Sequence, residues 1–254
     1  MSSVVIDYIL KRNQKDNRLK MFKIISEHNL KKLNKVAVDI LVRNVNVLLK
    51  IQDYVILGIP GGKSVSGIFT LLKNEERIPW TRVHIFMVDE RLVPLFSEES
   101  NFKLAKDLFI NNLIEKNLLP KENVHAFITK EKPDFGLSDY ENELKRYGKN
   151  YDILILSAGE DGHIASLFPD HDSIKDSSEG YLLVKNSPKS PRKRITISRK
   201  MILKSKIVML LFIGKGKKQA YKNFLDNRND FCSCPAKFVK NVENLYVLTS
   251  LNKP

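Results

Sequence analysis

The chain is poor in cysteine. Only Cys232 and Cys234 occur in 254 residues, with one residue between them. They supply neither a disulfide framework nor the spaced pairs of a zinc site, so a reduced compartment and a cytoplasmic location are expected. Long hydrophobic runs are missing too. The longest strongly apolar stretch, residues 207–213, falls far short of the roughly 20 residues that span a bilayer. Residues 1–18 lack the apolar core and cleavage site of a secretory signal. No membrane partner is expected. No G-x-S-x-G nucleophile elbow occurs, so a hydrolase built from these parts would use water as its nucleophile. The five histidines show no metal-ligand spacing, and neither a metal nor an organic cofactor is expected. Of these, His28, His84, His125 and His171 read as structural or exposed.

What is abundant is lysine. Lys and Arg number 43 against 29 Asp and Glu, a formal net charge of +14. Such a balance attracts nucleic acid, anionic membranes or phosphorylated small molecules. The lysines are scattered among asparagines and do not gather with aromatics on one stripe, which favours a compositional bias over a nucleic-acid surface. Hydrophobic content of 43% and charged content of 28% describe a soluble globular chain.

Apolar patterning predicts strands alternating with helices. Continuous apolar runs at 54–59, 83–88, 153–156 and 207–213 read as buried strands of a parallel sheet. Residues 19–25 and 245–249 read as further strands and 124–128 as a weaker one. Leu30, Leu33, Ala37, Ile40, Leu41 and Leu48 recur at helical spacing, so residues 28–50 predict a long amphipathic helix. Further helices are expected at 65–72, 102–114, 140–147 and 219–225. Residues 181–184 and 195–198 predict two strands flanking a basic turn. The expected fold is α/β and Rossmann-like, a mainly parallel sheet flanked by helices in a single compact domain. Residues 1–18 read as a polar extension, a short helix or loose arm, ahead of a domain over 19–254.

Three of the buried strands end in turns that carry chemistry, and in such sheets ligands bind beyond the carboxyl ends of the strands. The first turn is PGGKS, residues 60–64. Its backbone N–H groups and the start of the following helix suit an anion, and Lys63 adds charge. A nucleotide-binding P-loop would need glycine at position 57, which is Leu57. The second is Asp89-Glu90-Arg91, either a local ion pair or an arginine that holds a substrate oxygen with Asp89 orienting it or a hydroxyl. The third is the most informative, GEDGHIASLFP over residues 159–169. Asp161 and His163 flank a glycine at the edge of the core, a spacing that can aim a carboxylate and an imidazole into one cavity for proton transfer. A fourth element, PKSPRKR over 188–194, is a solvated hairpin loop, a nucleic-acid patch or a second arm over a phosphate.

These pieces, in this order, resemble the 6-phosphogluconolactonases and, more distantly, the glucosamine-6-phosphate deaminases. GEDGHIASLFP is the most specific, followed by DERLVP with Ser100-Asn101, then PKSPRKRITIS over 188–198 and the GGKS turn. Arg91, and Ser166-Leu167-Phe168-Pro169 after the histidine, favour the lactonase branch; the deaminases tend to carry a tyrosine and an F-N-E-P-like run there. Ser157 replaces a common glycine, and Pro60 and Val65 are unusual beside the glycine turn. The resemblance implies metal-free hydrolysis of 6-phosphoglucono-δ-lactone to 6-phosphogluconate in the pentose phosphate pathway. It implies His163 as general base, Asp161 as its orienting partner, and Arg91 on the oxyanion or a hydroxyl with Asp89 behind it. Gly61, Gly62, Lys63, Ser64, Lys189 and Arg194 would hold the 6-phosphate. The expected partner is this small sugar-phosphate lactone, with no nucleic acid or membrane, in a monomer or weak oligomer. The alternatives are an isomerising deaminase and a non-catalytic sugar-phosphate sensor.

Overall fold

The computed structural model describes residues 5–12, 19–129, 133–148, 150–228 and 230–252. Its strands are β1 (Val5–Arg12), β2 (Leu19–Ser26), β3 (Val55–Ile59), β4 (Val83–Met87), β5 (Asp89–Arg91), β6 (Val124–His125), β7 (Ile153–Ser157), β8 (Tyr181–Val184), β9 (Arg194–Ile197), β10 (Ile207–Phe212) and β11 (Asn244–Thr249). Its α-helices are α1 (Leu30–Leu48), α2 (Lys63–Leu72), α3 (Asn101–Ala105), α4 (Asn111–Glu115), α5 (Pro133–Tyr147), α6 (Arg199–Lys204) and α7 (Lys218–Leu225). A π-helical stretch, Lys106–Ile110, joins α3 to α4.

Eight strands form the main sheet in the order β1-β2-β11-β10-β7-β3-β4-β6. All neighbours are parallel except β1 and β2, which pair antiparallel. The order explains the unalternated apolar runs. In β7, Leu154 and Leu156 enter one core cluster while Ile153 and Ile155 enter the other, on the opposite face. β10 divides in the same way, with Val208, Leu210 and Phe212 on one side and Ile207, Met209 and Leu211 on the other. Period-two side-chain direction thus fills both cores from one strand. Helix α1 buries Leu33, Ala37, Val38, Leu41, Val45 and Leu48 on the second cluster, and its start is capped by the Asn29 side chain accepting from the Lys32 N–H.

Three features differ from the sequence expectation. Residues 5–12, expected as a helix or loose arm, are a strand on the edge of the sheet; residues 1–4 and 13–18 lie outside the described residues. The expected strand at 124–128 shortens to the two residues of β6 at the other edge. The two strands around the basic turn do not join the main sheet. β8 and β9 form an antiparallel hairpin, and β5 adds to it in a second, three-stranded sheet of order β5-β9-β8. The Asp89-Glu90-Arg91 turn is therefore itself a strand, which carries the basic turn onto the open end of the main sheet.

Candidate active site

β3, β4, β7 and β10 lie within four consecutive positions of the main sheet, so the segments after them converge. They enclose a cavity of about 420 Å³. Pro60, Gly61, Gly62, Lys63 and Ser64 line it from the end of β3, and Asp89 and Arg91 from the end of β4. Ser157, Gly159, Glu160 and His163 come from β7, and Lys189 and Arg194 from the small sheet. The phosphate turn, the acidic-basic turn and the D-G-H turn thus share one cavity, as their strand ends implied.

The centre of the site is the pair made by Asp161 and His163. His163 Nδ1 lies 2.5 Å from Asp161 Oδ1, and the His163 N–H also donates to that oxygen at 3.2 Å. Nδ1 is therefore engaged, and Nε2 is the ring nitrogen left for the cavity. The pair folds back over Gly159, whose N–H donates to the His163 carbonyl at 2.7 Å. A Cβ at Gly159 would collide with the His163 ring and with Asp161, so only glycine fits beneath the dyad. Burial pushes the Asp161 carboxyl up, but the hydrogen bonds and charge of His163, with Lys189, outweigh it and hold the group well below the usual carboxylate range. The Lys189 ammonium stands 3.2 Å from Asp161 Oδ2. The second arm of the expected phosphate clamp is thus seated on the acid of the dyad.

Among the described residues, Asp89 makes no hydrogen bond or ion pair to Arg91. Its carboxylate accepts from Asn101 Nδ2 at 3.2 Å and from Ser166 Oγ at 2.8 Å. Arg91 instead donates through Nη1 to the Glu99 carbonyl at 2.5 Å, and its buried Nε has no acceptor among the described residues. Among these residues, Glu90 forms no ion pair with Arg91 either. Its carboxylate accepts the N–H groups of Arg91, Asn101 and Phe102 and the Ser100 hydroxyl, which anchors the start of α3 to β5. Burial raises its proton affinity, opposed by those backbone donors.

The side expected to hold phosphate is built on α2. The helix begins at Lys63, two residues earlier than the apolar pattern implied, because Gly62 takes φ +89° at the N-cap. No side chain caps this end, so first-turn N–H groups face the cavity mouth. Lys63 makes no ion pair among the described residues. Ser64 turns its hydroxyl away, donating to the Ile213 carbonyl at 3.2 Å. Arg194 is buried, and three of its contacts hold the basic turn: Nε to the Pro191 carbonyl at 2.8 Å, and Nη2 to the Lys189 and Ser190 carbonyls, both at 3.0 Å. Its Nη1 lies 3.5 Å from Ser166 Oγ. Among the described residues, no group of three or more His, Cys, Asp or Glu side chains is placed to hold a metal ion, and no helix is long and apolar enough to cross a membrane.

Three residues of the site were not among the expected site residues. Asn101 and Ser166, both buried, clamp Asp89. Lys217 enters the cavity from the turn after β10, and burial lowers its proton affinity, opposed by Glu160 and Asp161. The Gly214-Lys215-Gly216-Lys217 turn at a fourth buried strand end was the available signal. Asn101 and Ser166 stand within runs that carry the family resemblance, but their contact with Asp89 arises only from tertiary packing.

The fold is that of an α/β protein with a cavity at the strand ends, and comparison with known proteins places it. Residues 28–247 match the family described as glucosamine-6-phosphate isomerases/6-phosphogluconolactonase, and the chain belongs to that family. A 6-phosphogluconolactonase of Borreliella burgdorferi is 39% identical over 203 residues, covering 80% of this chain and 86% of the relative. A chloroplastic relative from Oryza sativa is longer; at 33% identity the match covers 66% of this chain and 55% of it. The crystal structure of 6-phosphogluconolactonase from Thermotoga maritima has the same fold, with a TM-score of 0.76 at 24% identity, over 89% of this chain and 97% of the other.

Proposed function

We propose that this cavity hydrolyses 6-phosphoglucono-δ-lactone to 6-phosphogluconate, with His163 as the base. The activity is the one named for the Borreliella burgdorferi relative and for a Thermotoga maritima relative 31% identical over 196 residues. The observation that supports the mechanism is the Asp161–His163 pair, which leaves one imidazole nitrogen for a cavity that also holds the uncapped start of α2.

In this reading the lactone carbonyl sits between His163 and Arg91. Water attacks C1 as His163 Nε2 removes its proton. The carbonyl electrons move to oxygen, and the Arg91 guanidinium, which lines the cavity, stabilises the charge that forms there. The bond from C1 to the ring oxygen then breaks. The leaving oxygen takes the proton from His163, and the new carboxylic acid ionises. Asp161 keeps the imidazole oriented and stabilises its cationic form. Asp89, fixed by Asn101 and Ser166, presents its remaining acceptor capacity to a sugar hydroxyl. The 6-phosphate rests on the N–H groups of the 61–64 turn, with Lys63, Lys189, Arg194 and the unanticipated Lys217 around it.

An isomerising deaminase is the rival. Arg91 and the Ser166–Pro169 run favour the lactonase. The test is a product assay with freshly made 6-phosphogluconolactone, corrected for spontaneous hydrolysis, beside an ammonia assay with glucosamine 6-phosphate. Rapid lactone hydrolysis with no ammonia is expected. Ammonia release without lactonase activity would replace this reading with the rival. The proposal includes a cytoplasmic protein, monomeric or weakly associating, that uses neither nucleic acid nor membrane.

A further inference from the structure

Lys189 occupies a position that a simple phosphate ligand would not need. Its ammonium meets Asp161 Oδ2 at 3.2 Å while His163 holds Oδ1. One carboxylate is thus shared between the imidazole and a cation. A cation on Asp161 diminishes the negative charge that stabilises a protonated His163, and so weakens the base. Only the side chain of Lys189 is positioned to move. Its carbonyl accepts from Ser187 Oγ at 2.8 Å and Arg194 Nη2 at 3.0 Å, and its N–H donates to Ser187 Oγ at 3.1 Å. The side chain itself is 43% exposed, on a flexible four-carbon stem that lines the same cavity as Lys63 and the α2 start.

Resting on the lactonase reading above, we propose that Lys189 is a positioning residue that couples phosphate binding to the strength of the base. In the empty site it neutralises part of Asp161. A phosphate dianion at the α2 start carries twice the charge of the carboxylate and draws the ammonium away. Asp161 then acts on His163 alone. The enzyme is strongest as a base only when a phosphorylated substrate is seated, so a sugar lactone without phosphate meets a damped site.

The device is modest in size because the pair is partly exposed. An exposed ion pair contributes about 0.2–1 kcal/mol, so releasing Asp161 changes the rate by roughly up to five-fold. The experiment uses unphosphorylated glucono-δ-lactone with and without phosphite dianion, an anion that fills the phosphate position without being joined to the sugar. For the native chain, phosphite should accelerate turnover. For Lys189→Ala, turnover without phosphite should rise by about two- to five-fold, and the acceleration by phosphite should shrink by the same factor. Lys189→Arg, which keeps the cation, should retain the native pattern. The His163 ring ¹⁵N resonances give a readout independent of turnover: phosphite should move them in the native chain and not in Lys189→Ala. An Ala variant with unchanged or lower basal turnover overturns the coupling. So do ring resonances that respond to phosphite equally in both proteins. Failure of the lactonase reading is separate, being the absence of turnover of 6-phosphogluconolactone by the native chain.

Discussion

Two imidazole–carboxylate pairs occur among the described residues, and their surroundings differ. His163 and Asp161 meet at 2.5 Å beyond β7, near the centre of the sheet. His125 and Glu143 meet at 2.7 Å on β6, at its edge. The second pair is closed. The His125 side chain is 1% exposed, its ring stacks 4.0 Å from Phe86, and its Nε2 is taken by His84 Nδ1 at 3.0 Å. Tyr147 covers His84 at 3.8 Å between ring centres. Both nitrogens of His125 are committed within a wall of aromatics. His163 keeps one nitrogen for a cavity, over a glycine that only glycine can be. The pair itself therefore does not mark a catalytic base; an uncommitted nitrogen facing room for substrate does.

The largest effect that sharpens this contrast is on turnover. His163→Ala should lower kcat by about 10²–10⁴-fold, the range for one acid–base group, with its melting temperature close to native. His125→Ala should do the reverse, keeping kcat near native while lowering stability, because it leaves buried His84 and Glu143 without their partner. Steady-state kinetics and thermal melts of both variants are the check. A fall in kcat of similar size in both would erase the distinction.

A smaller effect tests the cavity around His163. Lys63 and Lys217 line it, and neither makes an ion pair among the described residues. A charge-assisted hydrogen bond to phosphate contributes about 1.5–3 kcal/mol, so either alanine variant should lose roughly 10- to 100-fold in kcat/KM on the phosphorylated lactone. Turnover of the unphosphorylated lactone should barely change. Equal losses on both substrates would assign these lysines to the fold or the chemistry.

The two regions were also unequally readable. The cavity was legible because each of its strands is a continuous apolar run that stops at glycine and charge: Ile59 before the PGGKS turn, and Leu156 before the GEDGH turn. Helical spacing likewise revealed α1. Asn101 and Ser166 were visible within recognisable runs, but their place was opaque, because they meet Asp89 only when β5 and the segment after the D-G-H turn come together. β5 was hidden for a related reason. Three charged residues carry no strand signal, and Asp89–Arg91 becomes one only by pairing with β9. The β1 strand was missed because its apolar residues are interrupted by charge, and its pairing with β2 is tertiary information. His84 and His125 were readable as structural, but their bond to each other depends on β4 and β6 being neighbours.

The smallest expected effect lies in that closed pair and is one of pH. Burial, the leading cause, lowers the proton affinity of both rings. In His84 it is reinforced by His125 and opposed by Glu143, and its pKa falls to about 4. The unfolded chain has an ordinary histidine near 6.5. Between these values the unfolded state binds the proton and the folded state does not. The stability from a neutral His84 is therefore complete above about 6.5 and lost as pH falls toward about 4. From pH 7 to pH 5 the loss from this residue is on the order of 1–2 kcal/mol, a few degrees in melting temperature for a chain of this size. Asp161 does not confuse the measurement, since a depressed carboxylate loses its contribution only below its ordinary range near 3.9. His84→Phe keeps an aromatic ring against Tyr147 and removes the titrating group. Its melting temperature should be lower than native at pH 7, where the bond to His125 is gone, but should fall less between pH 7 and pH 5. An identical slope in the two proteins would mean that the acid sensitivity resides elsewhere, and that the closed pair contributes packing alone.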